Sequence, residues 1–355
     1  MDRGVAPLAV SRTVLVLMVS IFLVSGGRAR AQVGATSLQA CVQAEALFFS
    51  TESGFLSLGP IPPDGSPLVS EGDLLGRSVL GCHICARNAD LLAAFSISED
   101  LGLDAVDVVA DATTRVVVFS TEVDGPSLGT DVRAGDLLAS NGAIIPNEVL
   151  LDAFSPTGDM GLDAVHGVGE PSDLLAFWAD AAGLTRTEWT QQPGQLVDLL
   201  VLHDVDLWIS TEVAAGPVTG PLWLAGDLLS VRSGLVLQRQ HELLPEAVPA
   251  GLPVGGVDLG LDAVTADRSG QISTLAFSVE RGSVEPIAFG ESDVLGLQLG
   301  WKGRGEGLAR CFEPKFLPLG LDALAIATPE PALGPGIAAA LGALAFLGRR
   351  RPQSR

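Results

Sequence analysis

The chain of 355 residues contains no tyrosine, and aromatic residues make up only 5% of it. Basic residues are also scarce, because 21 Lys and Arg residues face 42 Asp and Glu residues. Aliphatic side chains must therefore fill the core, and an apolar fraction of 47% is sufficient for a folded domain rather than a disordered chain. A surface of this negative charge repels nucleic-acid phosphates, so nucleic-acid binding is excluded.

The amino-terminal end is organised like a secretory signal peptide. Two arginines precede an apolar run at residues 13–24, and a small-x-small sequence ends at Ala31. This order predicts cleavage between Ala31 and Gln32, so residues 1–31 are interpreted as a signal peptide. A retained amino-terminal anchor is the alternative. Between residues 32 and 348 only 13 basic residues face 41 acidic ones, so the predicted exported part is more acidic than the whole chain.

Three signals follow one another at the carboxyl-terminal end: a short proline motif, an apolar run over residues 332–348, and a basic stop. Arginines after an apolar segment favour the cytoplasmic side of a membrane. The order resembles the PEP-CTERM sorting domain of Gram-negative bacteria that make exopolysaccharide, over residues 329–355 only. An ordinary membrane anchor is the alternative, although the run is shorter than the roughly 20 residues of a typical span. The residues that match are Pro329, Glu330, Pro331, Arg349, Arg350 and Arg351.

This resemblance implies recognition by an exosortase-type enzyme and cleavage near Pro331, after a signal peptidase has removed the amino-terminal segment. It also implies attachment to the membrane through the carboxyl-terminal segment before processing. The expected destination is the cell surface, outer membrane or extracellular matrix of a Gram-negative bacterium, where extracellular polysaccharide is a candidate partner.

The four cysteines lie in the predicted exported part, where an even number indicates disulfides. The Cys82-His83-Ile84-Cys85 sequence lacks the histidine that would follow a haem c motif, since Ala86 stands there. One such pair supplies only half of a zinc site, and a redox motif belongs in a thioredoxin-like βαβ unit. We therefore expect a local Cys82–Cys85 disulfide, with Cys41 and Cys311 as the second pair.

Residues 32–328 form a domain with internal repeats. Three phrases recur in the same order, namely Phe-Ser-Thr-Glu, Gly-Asp-Leu-Leu and Gly-Leu-Asp-Ala. β-Branched and aromatic runs such as residues 115–120 predict strands, and their lack of alternation indicates strands buried on both faces. The Phe-Ser-Thr-Glu copies begin at Phe49, Phe119, Ile209 and Phe277; the Gly-Asp-Leu-Leu copies begin at Gly72, Gly135, Gly226 and Ser292; the Gly-Leu-Asp-Ala copies begin at Gly102, Gly161, Gly260 and Gly320.

The fold class predicted from these repeats is all-β, as a five-bladed β-propeller. Residues 174–180 and 197–201 resemble two of the repeat strands and suggest a degenerate fifth unit, and no long helix is expected between residues 32 and 328. The domain begins with a Phe-Ser-Thr-Glu strand and ends with a Gly-Leu-Asp-Ala strand, so pairing of the terminal strands would close the ring. A β-sandwich or an open β-repeat array is the alternative.

The repeated aspartates are the candidate functional residues. Around a propeller they would lie at equivalent positions near the axis, where a ring of carboxylates can hold Ca²⁺ or supply the two acids of a glycosidase. Repetition in every unit instead favours a structural role, in which each carboxylate accepts backbone N–H bonds at its own turn. The same role is expected for the aspartate of Gly-Asp-Leu-Leu and the glutamate of Phe-Ser-Thr-Glu. The candidates are Asp104, Asp163, Asp198, Asp262 and Asp322.

The functional prediction is an exported, non-catalytic surface or matrix protein with a binding or adhesion role. No catalytic residue and no cofactor is assigned, apart from Ca²⁺ at the repeated aspartates. The alternative is a secreted hydrolase that acts on polysaccharide. Sugar-stacking sites are a further consideration, but core packing is expected for the five tryptophans, Trp178, Trp189, Trp208, Trp223 and Trp301.

Overall fold

A computed structural model describes most of the domain that the repeats define. The signal-cleavage position at Ala31 and Gln32, the sorting motif and the basic end all lie outside the described residues. Within the described part of the chain, no helix is long and apolar enough to cross a membrane. The described residues are 34–35, 38–44, 46–59, 65–79, 81–126, 132–156, 158–215, 223–251, 256–300, 302–315 and 319–326.

The chain forms short strands throughout the described residues, as expected for an all-β domain. The strands are β1 (Gly34–Ala35), β2 (Leu47–Phe49), β3 (Phe55–Leu56), β4 (Leu68–Val69), β5 (Leu74–Ser78), β6 (Gly81–Ala86), β7 (Val106–Ala110), β8 (Arg115–Phe119), β9 (Leu137–Ala139), β10 (Ile144–Ile145), β11 (Ala164–Val168), β12 (Asp206–Ser210), β13 (Leu228–Ser230), β14 (Leu235–Gln238), β15 (Ala263–Thr265), β16 (Ala276–Ser278), β17 (Asp293–Gly296), β18 (Lys302–Arg304) and β19 (Leu324–Ile326).

The described residues contain eight α-helices, and half of them are only four residues long. The longest helices follow β11. The helices are α1 (Leu38–Gln43), α2 (Asn88–Leu91), α3 (Asn147–Leu150), α4 (Pro171–Ala181), α5 (Arg186–Gln191), α6 (Gly194–Leu202), α7 (Gln240–Leu243) and α8 (Glu306–Ala309).

The strands form four larger sheets and one hairpin of β3 with β4. Sheet 1 has the order β1-β6-β5-β2-β19, and sheet 2 has the order β10-β9-β8-β7. Sheet 3 has the order β11-β12-β13-β14, and sheet 4 has the order β15-β16-β17-β18. Each sheet has at one edge the strand that follows a Gly-Leu-Asp-Ala phrase. These four edge strands, β7, β11, β15 and β19, are called the inner strands below.

The inner strands contact one another, which brings the four sheets together. Strands β7 and β15 each contact both β11 and β19. Four apolar cores fill the spaces between sheets 1 and 2, 2 and 3, 3 and 4, and 4 and 1. Each sheet is therefore covered on both faces, which explains why β7 is buried along its whole length and why its sequence does not alternate.

The predicted pairing of the terminal repeat strands is confirmed. Strand β19 is antiparallel to β2, with Leu324 opposite Phe49 and Ile326 opposite Leu47. Sheet 1 therefore combines strands from the two ends of the domain, and its cohesion depends on contacts between residues more than 270 positions apart.

The prediction of a fifth unit was wrong, and so was the expectation that long helices are absent. Residues 174–180 lie in α4 and residues 197–201 lie in α6, inside an insertion between the first two strands of sheet 3. Leu174, Phe177, Trp178 and Ala181 are all fully buried, and this spacing corresponds to one helical face rather than to a strand. The chain thus has four repeat units, one for each sheet.

The predicted disulfide pairing was also wrong. The structure joins Cys41 to Cys85 and Cys82 to Cys311, each with a Cα–Cα distance of 5.9 Å. Cys82 and Cys85 lie three residues apart in β6, and successive side chains of a strand point to opposite faces. Cys85 accordingly packs in the core between sheets 1 and 2, whereas Cys82 packs in the core between sheets 4 and 1.

Candidate functional site

Each Gly-Leu-Asp-Ala phrase positions an aspartate just before an inner strand by the same local structure. The four glycines have φ between +67° and +73°, a region that glycine adopts without steric cost. The leucine and alanine on either side of the aspartate are buried, so the turn is anchored in the apolar cores. The aspartates placed in this way are Asp104, Asp163, Asp262 and Asp322.

Each Phe-Ser-Thr-Glu phrase brings a glutamate next to one of these turns. The side chain of Glu52 lies against Gly320, so a Cβ atom at that glycine would collide with the carboxylate. The same relation joins Glu122 to Gly102, and it recurs in sheets 3 and 4 through Glu212 and Glu280. Glycine is thus favoured at these turns by the backbone conformation, and a side chain there would displace the glutamate.

The serines of three Phe-Ser-Thr-Glu phrases connect neighbouring sheets. Ser50 Oγ of sheet 1 donates to the carbonyl of Leu103 at 3.0 Å, and Ser120 Oγ of sheet 2 donates to that of Leu162 at 2.9 Å. Ser210 Oγ makes the corresponding bond from sheet 3 to sheet 4. Each accepting leucine directly precedes an aspartate in the sequence. The serines therefore fix the position of that aspartate relative to the neighbouring sheet.

The eight residues form one group, which we call the acidic cluster: Glu52, Asp104, Glu122, Asp163, Glu212, Asp262, Glu280 and Asp322. It contains two triplets in which one carboxylate oxygen from each member lies within 4.8 Å of the others. Sheets 1 and 4 supply the first triplet, Glu52, Asp262 and Asp322, and sheets 2 and 3 supply the second, Asp104, Asp163 and Glu212. The aspartates are mostly buried, whereas three of the four glutamates are exposed, so the cluster opens to solvent on its glutamate side.

Every member of the acidic cluster has its pKa raised. Burial is the largest cause for all eight. For the four aspartates, repulsion by other carboxylates of the cluster adds to it. Burial, Asp262 and Glu122 raise the pKa of Asp322 to about 10, and burial with nearby acids raises the pKa of Glu122 to about 7. The protein therefore holds these carboxylates together at an electrostatic cost.

The prediction that the repeated aspartates accept hydrogen bonds from their own turns is wrong for the four aspartates of the acidic cluster. No backbone N–H within the described residues donates to these four aspartates. The buried Oδ2 atoms of Asp104, Asp163 and Asp322 have no hydrogen-bond partner there. Asp262 Oδ2 accepts only from Ser278 Oγ, at 3.1 Å. Buried acceptors are normally satisfied, so these oxygens are available to a ligand.

The aspartates of Gly-Asp-Leu-Leu do have the expected structural role. Asp227 accepts from the backbone N–H of Leu224 at 3.1 Å and of Gln240 at 2.9 Å, and it pairs with Arg239. Asp73 and Asp136 repeat this arrangement in sheets 1 and 2. The two phrases thus use the same residue type for different purposes.

The structure does not bring Asp198 into the acidic cluster. Asp198 lies on α6 and is exposed, because the segment that contains it is a helical insertion rather than a repeat unit. The tryptophans do not form a sugar-stacking surface within the described residues, since Trp178, Trp189, Trp208 and Trp223 are all buried in the cores as expected. Trp301 lies outside the described residues.

A set of buried amides that the sequence analysis missed joins consecutive repeats. Asn147 Nδ2 donates to the carbonyls of Gly135 and Gly161, at 3.1 and 3.0 Å, and its Oδ1 accepts from the N–H of Met160. Asn88 and Gln240 occupy the corresponding places. Their common position, shortly after Gly-Asp-Leu-Leu and directly after an arginine or proline, is a sequence signal that could have identified them.

A second charged group lies further along the inner strands. Asp107, on β7 and three residues beyond Asp104, makes a bidentate ion pair with Arg268, which extends from sheet 4. Arg268 also donates to the carbonyls of Val108 and Gly167. Burial is the largest single influence and opposes ionisation of Asp107, but Arg268 and His166 together outweigh it and hold the pKa of this carboxyl well below its usual range. The acidic cluster thus lies near the starts of the inner strands, and the neutralised ion pair lies about 10 Å further along them.

Comparison with known proteins supplies no family for this chain: no family model, no curated protein and no solved structure matches it.

Proposed function

We propose that the protein is an exported, non-catalytic binding protein of the cell surface or extracellular matrix, and that the acidic cluster is its binding site. The principal observation in support is that all four repeat units contribute one aspartate and one glutamate to this single cluster. An aspartate with a structural role would accept hydrogen bonds from nearby backbone N–H groups of its own unit, as Asp227 does. A set of acids gathered from four sheets and left partly unpaired is suited to a shared ligand.

The domain architecture that we propose is a four-bladed β-propeller. Four sheets of four or five strands, two-sided burial of each sheet and contacts between consecutive inner strands support it. Sheet 1 would be the closing blade, since it contains both β2 and β19. Four blades replace the five expected from the sequence, because the insertion of α4, α5 and α6 lengthens one blade without adding another.

Binding is favoured over catalysis by the electrostatics of the cluster. Retaining glycosidases hold two carboxyl groups about 5 Å apart, and the carboxylates of each triplet are similarly close. Such an enzyme needs one raised pKa and one low pKa, so that one group donates a proton while the other is ionised. In the acidic cluster all the shifts are upward.

Export is proposed from the two terminal segments. A signal peptide over residues 1–31 and a PEP-CTERM-like tail over residues 329–355 would deliver the domain through an exosortase-type system of a Gram-negative bacterium. Two disulfides within the domain are in keeping with an oxidising compartment. Extracellular polysaccharide is the partner proposed for the delivered domain.

The test is to incubate the purified full-length protein with exopolysaccharide from a PEP-CTERM-containing bacterium and to measure both co-sedimentation and new reducing ends. We expect co-sedimentation without new reducing ends. An increase in reducing ends that disappears in the Asp262→Asn/Asp322→Asn variant would establish the hydrolase instead. Failure to co-sediment would overturn polysaccharide binding.

A further inference from the structure

We propose that the acidic cluster binds two hard divalent cations, preferentially Ca²⁺, with one ion at each carboxylate triplet. The first ion would lie among Glu52, Asp262 and Asp322, and the second among Asp104, Asp163 and Glu212. This inference rests on the proposed function, because it names the ligand of the same site.

The ligand atoms that each triplet offers are carboxylate oxygens. Ca²⁺ takes six to eight oxygen ligands, and carboxylates that bind through one or both oxygens are the preferred protein donors. Each triplet supplies three carboxylates without any sulfur or nitrogen donor, which disfavours zinc and other softer metals. Glu122 and Glu280 belong to the same cluster and can complete the coordination together with water.

The separation of the carboxylate oxygens within each triplet suits Ca²⁺. The oxygens of a triplet lie no farther than 4.8 Å from one another, which is about twice the usual Ca²⁺–oxygen distance of roughly 2.3–2.6 Å. An ion of this size therefore fits between them without displacing the inner strands. Mg²⁺ demands a nearly ideal octahedron and usually keeps several waters, whereas Ca²⁺ accepts irregular sets of several carboxylates, so the donor set favours Ca²⁺.

Both triplets contain a buried carboxylate oxygen that has no hydrogen-bond partner among the described residues. Asp163 and Asp322 are only 5% and 8% exposed, and the Oδ2 atom of each has no hydrogen-bond partner among the described residues. A buried carboxylate without a partner is costly, and a cation removes this cost by coordination. Each triplet contains one of these two residues, so the argument applies to both proposed ions.

No basic side chain among the described residues forms an ion pair with either triplet. Within the described residues, arginines pair with Asp73, Asp136 and Asp227 of the Gly-Asp-Leu-Leu phrases and with Asp107, but with no member of either triplet. The chain thus pairs its other buried aspartates internally. The charge of the acidic cluster is left for an ion from outside.

The experiment is a calcium titration of the purified full-length protein by isothermal calorimetry, after treatment with a chelator. We expect two ions per chain, with dissociation constants near the roughly 10⁻⁴–10⁻³ M of extracellular calcium modules. Asp163→Asn and Asp322→Asn should each lose one ion or weaken it at least tenfold. Asp198→Asn is the matched control, because Asp198 is an exposed aspartate outside the cluster, and it should keep both ions.

Thermal unfolding distinguishes lost ligands from lost folding. In chelator, Asp322→Asn should unfold at the same temperature as the unsubstituted protein or higher, since the substitution removes a buried acid from a repelling cluster. In calcium, it should gain less stability than the unsubstituted protein. Absence of calcium binding, or full binding by the Asp163→Asn/Asp322→Asn variant, would overturn the proposal, and a single ion would overturn the assignment to two triplets. Because no polysaccharide is present, this result is independent of the test of the proposed function.

Discussion

At the scale of single residues, position within a phrase decides what an aspartate does. Asp227 follows a turn whose N–H groups point at its carboxylate, so it is fully bonded. Asp322 follows a left-handed glycine that directs it between sheets, where the neighbouring groups are other acids. The two kinds of aspartate are indistinguishable in a list of repeats. Only the backbone conformation and the neighbouring sheets separate a structural acid from one that is available to a ligand.

The ion pair of Asp107 with Arg268 gives a prediction at this scale. Asp107→Asn should lower the free energy of unfolding at neutral pH by about 3–5 kcal/mol, because it leaves the buried Arg268 without its counter-charge. The pKa of Asp107 is depressed in the folded protein, so its contribution is complete above the unfolded value of about 4 and is lost as the pH falls below it. Denaturant unfolding at pH 7 and pH 3 checks both statements.

The matched control is Asp204→Asn, since Asp204 pairs with Arg232 at the surface and is 87% exposed. A surface pair contributes little, so this variant should unfold almost like the unsubstituted protein at both pH values. If the gap between Asp107→Asn and the unsubstituted protein is the same at pH 7 and pH 3, the ion pair does not have the role assigned to it.

At the scale of elements, the repeat phrases predicted strands correctly and the insertion was mistaken for strands. Residues 116–118 are three valines, and this apolar β-branched run is accommodated in β8 because both faces of the strand are covered. The error concerned α4, whose apolar residues at 174, 177, 178 and 181 have helical spacing, with Pro171 in the first turn. The similarity to a repeat phrase concealed this periodicity. A capping box at Thr185 and Glu188 was a further helix signal.

The candidate site was predictable in part for the same reason. Repetition identified Asp104, Asp163, Asp262 and Asp322, but the glutamates of Phe-Ser-Thr-Glu were assigned to turns. Their approach to the glycines of other phrases depends on strand pairing, for example β19 with β2, which joins residues from the two ends of the domain. A sequence pattern does not specify which distant phrases meet in space.

The buried amides give a prediction for the connection between elements. Asn147→Ala should lower the free energy of unfolding by about 3 kcal/mol, because two carbonyls and one N–H of the adjacent turns lose their partner. Gln191→Ala is the control, since Gln191 is an exposed amide at the end of α5. Equal stability of the two variants in urea titrations would contradict the proposed connection between sheets 2 and 3.

At the scale of the whole molecule, the two disulfides act on the sheet that contains both ends of the domain. Cys82–Cys311 joins β6 of sheet 1 to the segment after α8, across a sequence separation of 229 residues. Cys41–Cys85 closes a separation of only 44 residues. A disulfide stabilises a protein mainly by restricting the unfolded chain, and longer loops gain more.

Removal of the longer disulfide should therefore be the more damaging change. Cys82→Ala/Cys311→Ala should lower the free energy of unfolding by about 2–5 kcal/mol and by more than Cys41→Ala/Cys85→Ala. Peptide mapping without reduction checks the pairing directly. Recovery of a Cys82–Cys85 peptide would contradict the structure and restore the pairing expected from the sequence.

Four repeat units together would form two cation sites, each from carboxylates of two neighbouring sheets. Anomalous diffraction from crystals of the full-length protein soaked in terbium, a lanthanide that occupies calcium sites, tests this proposal most directly. The account predicts two peaks within the acidic cluster, one bounded by Glu52, Asp262 and Asp322 and the other by Asp104, Asp163 and Glu212. Terbium peaks elsewhere on the protein with none in the acidic cluster would contradict it.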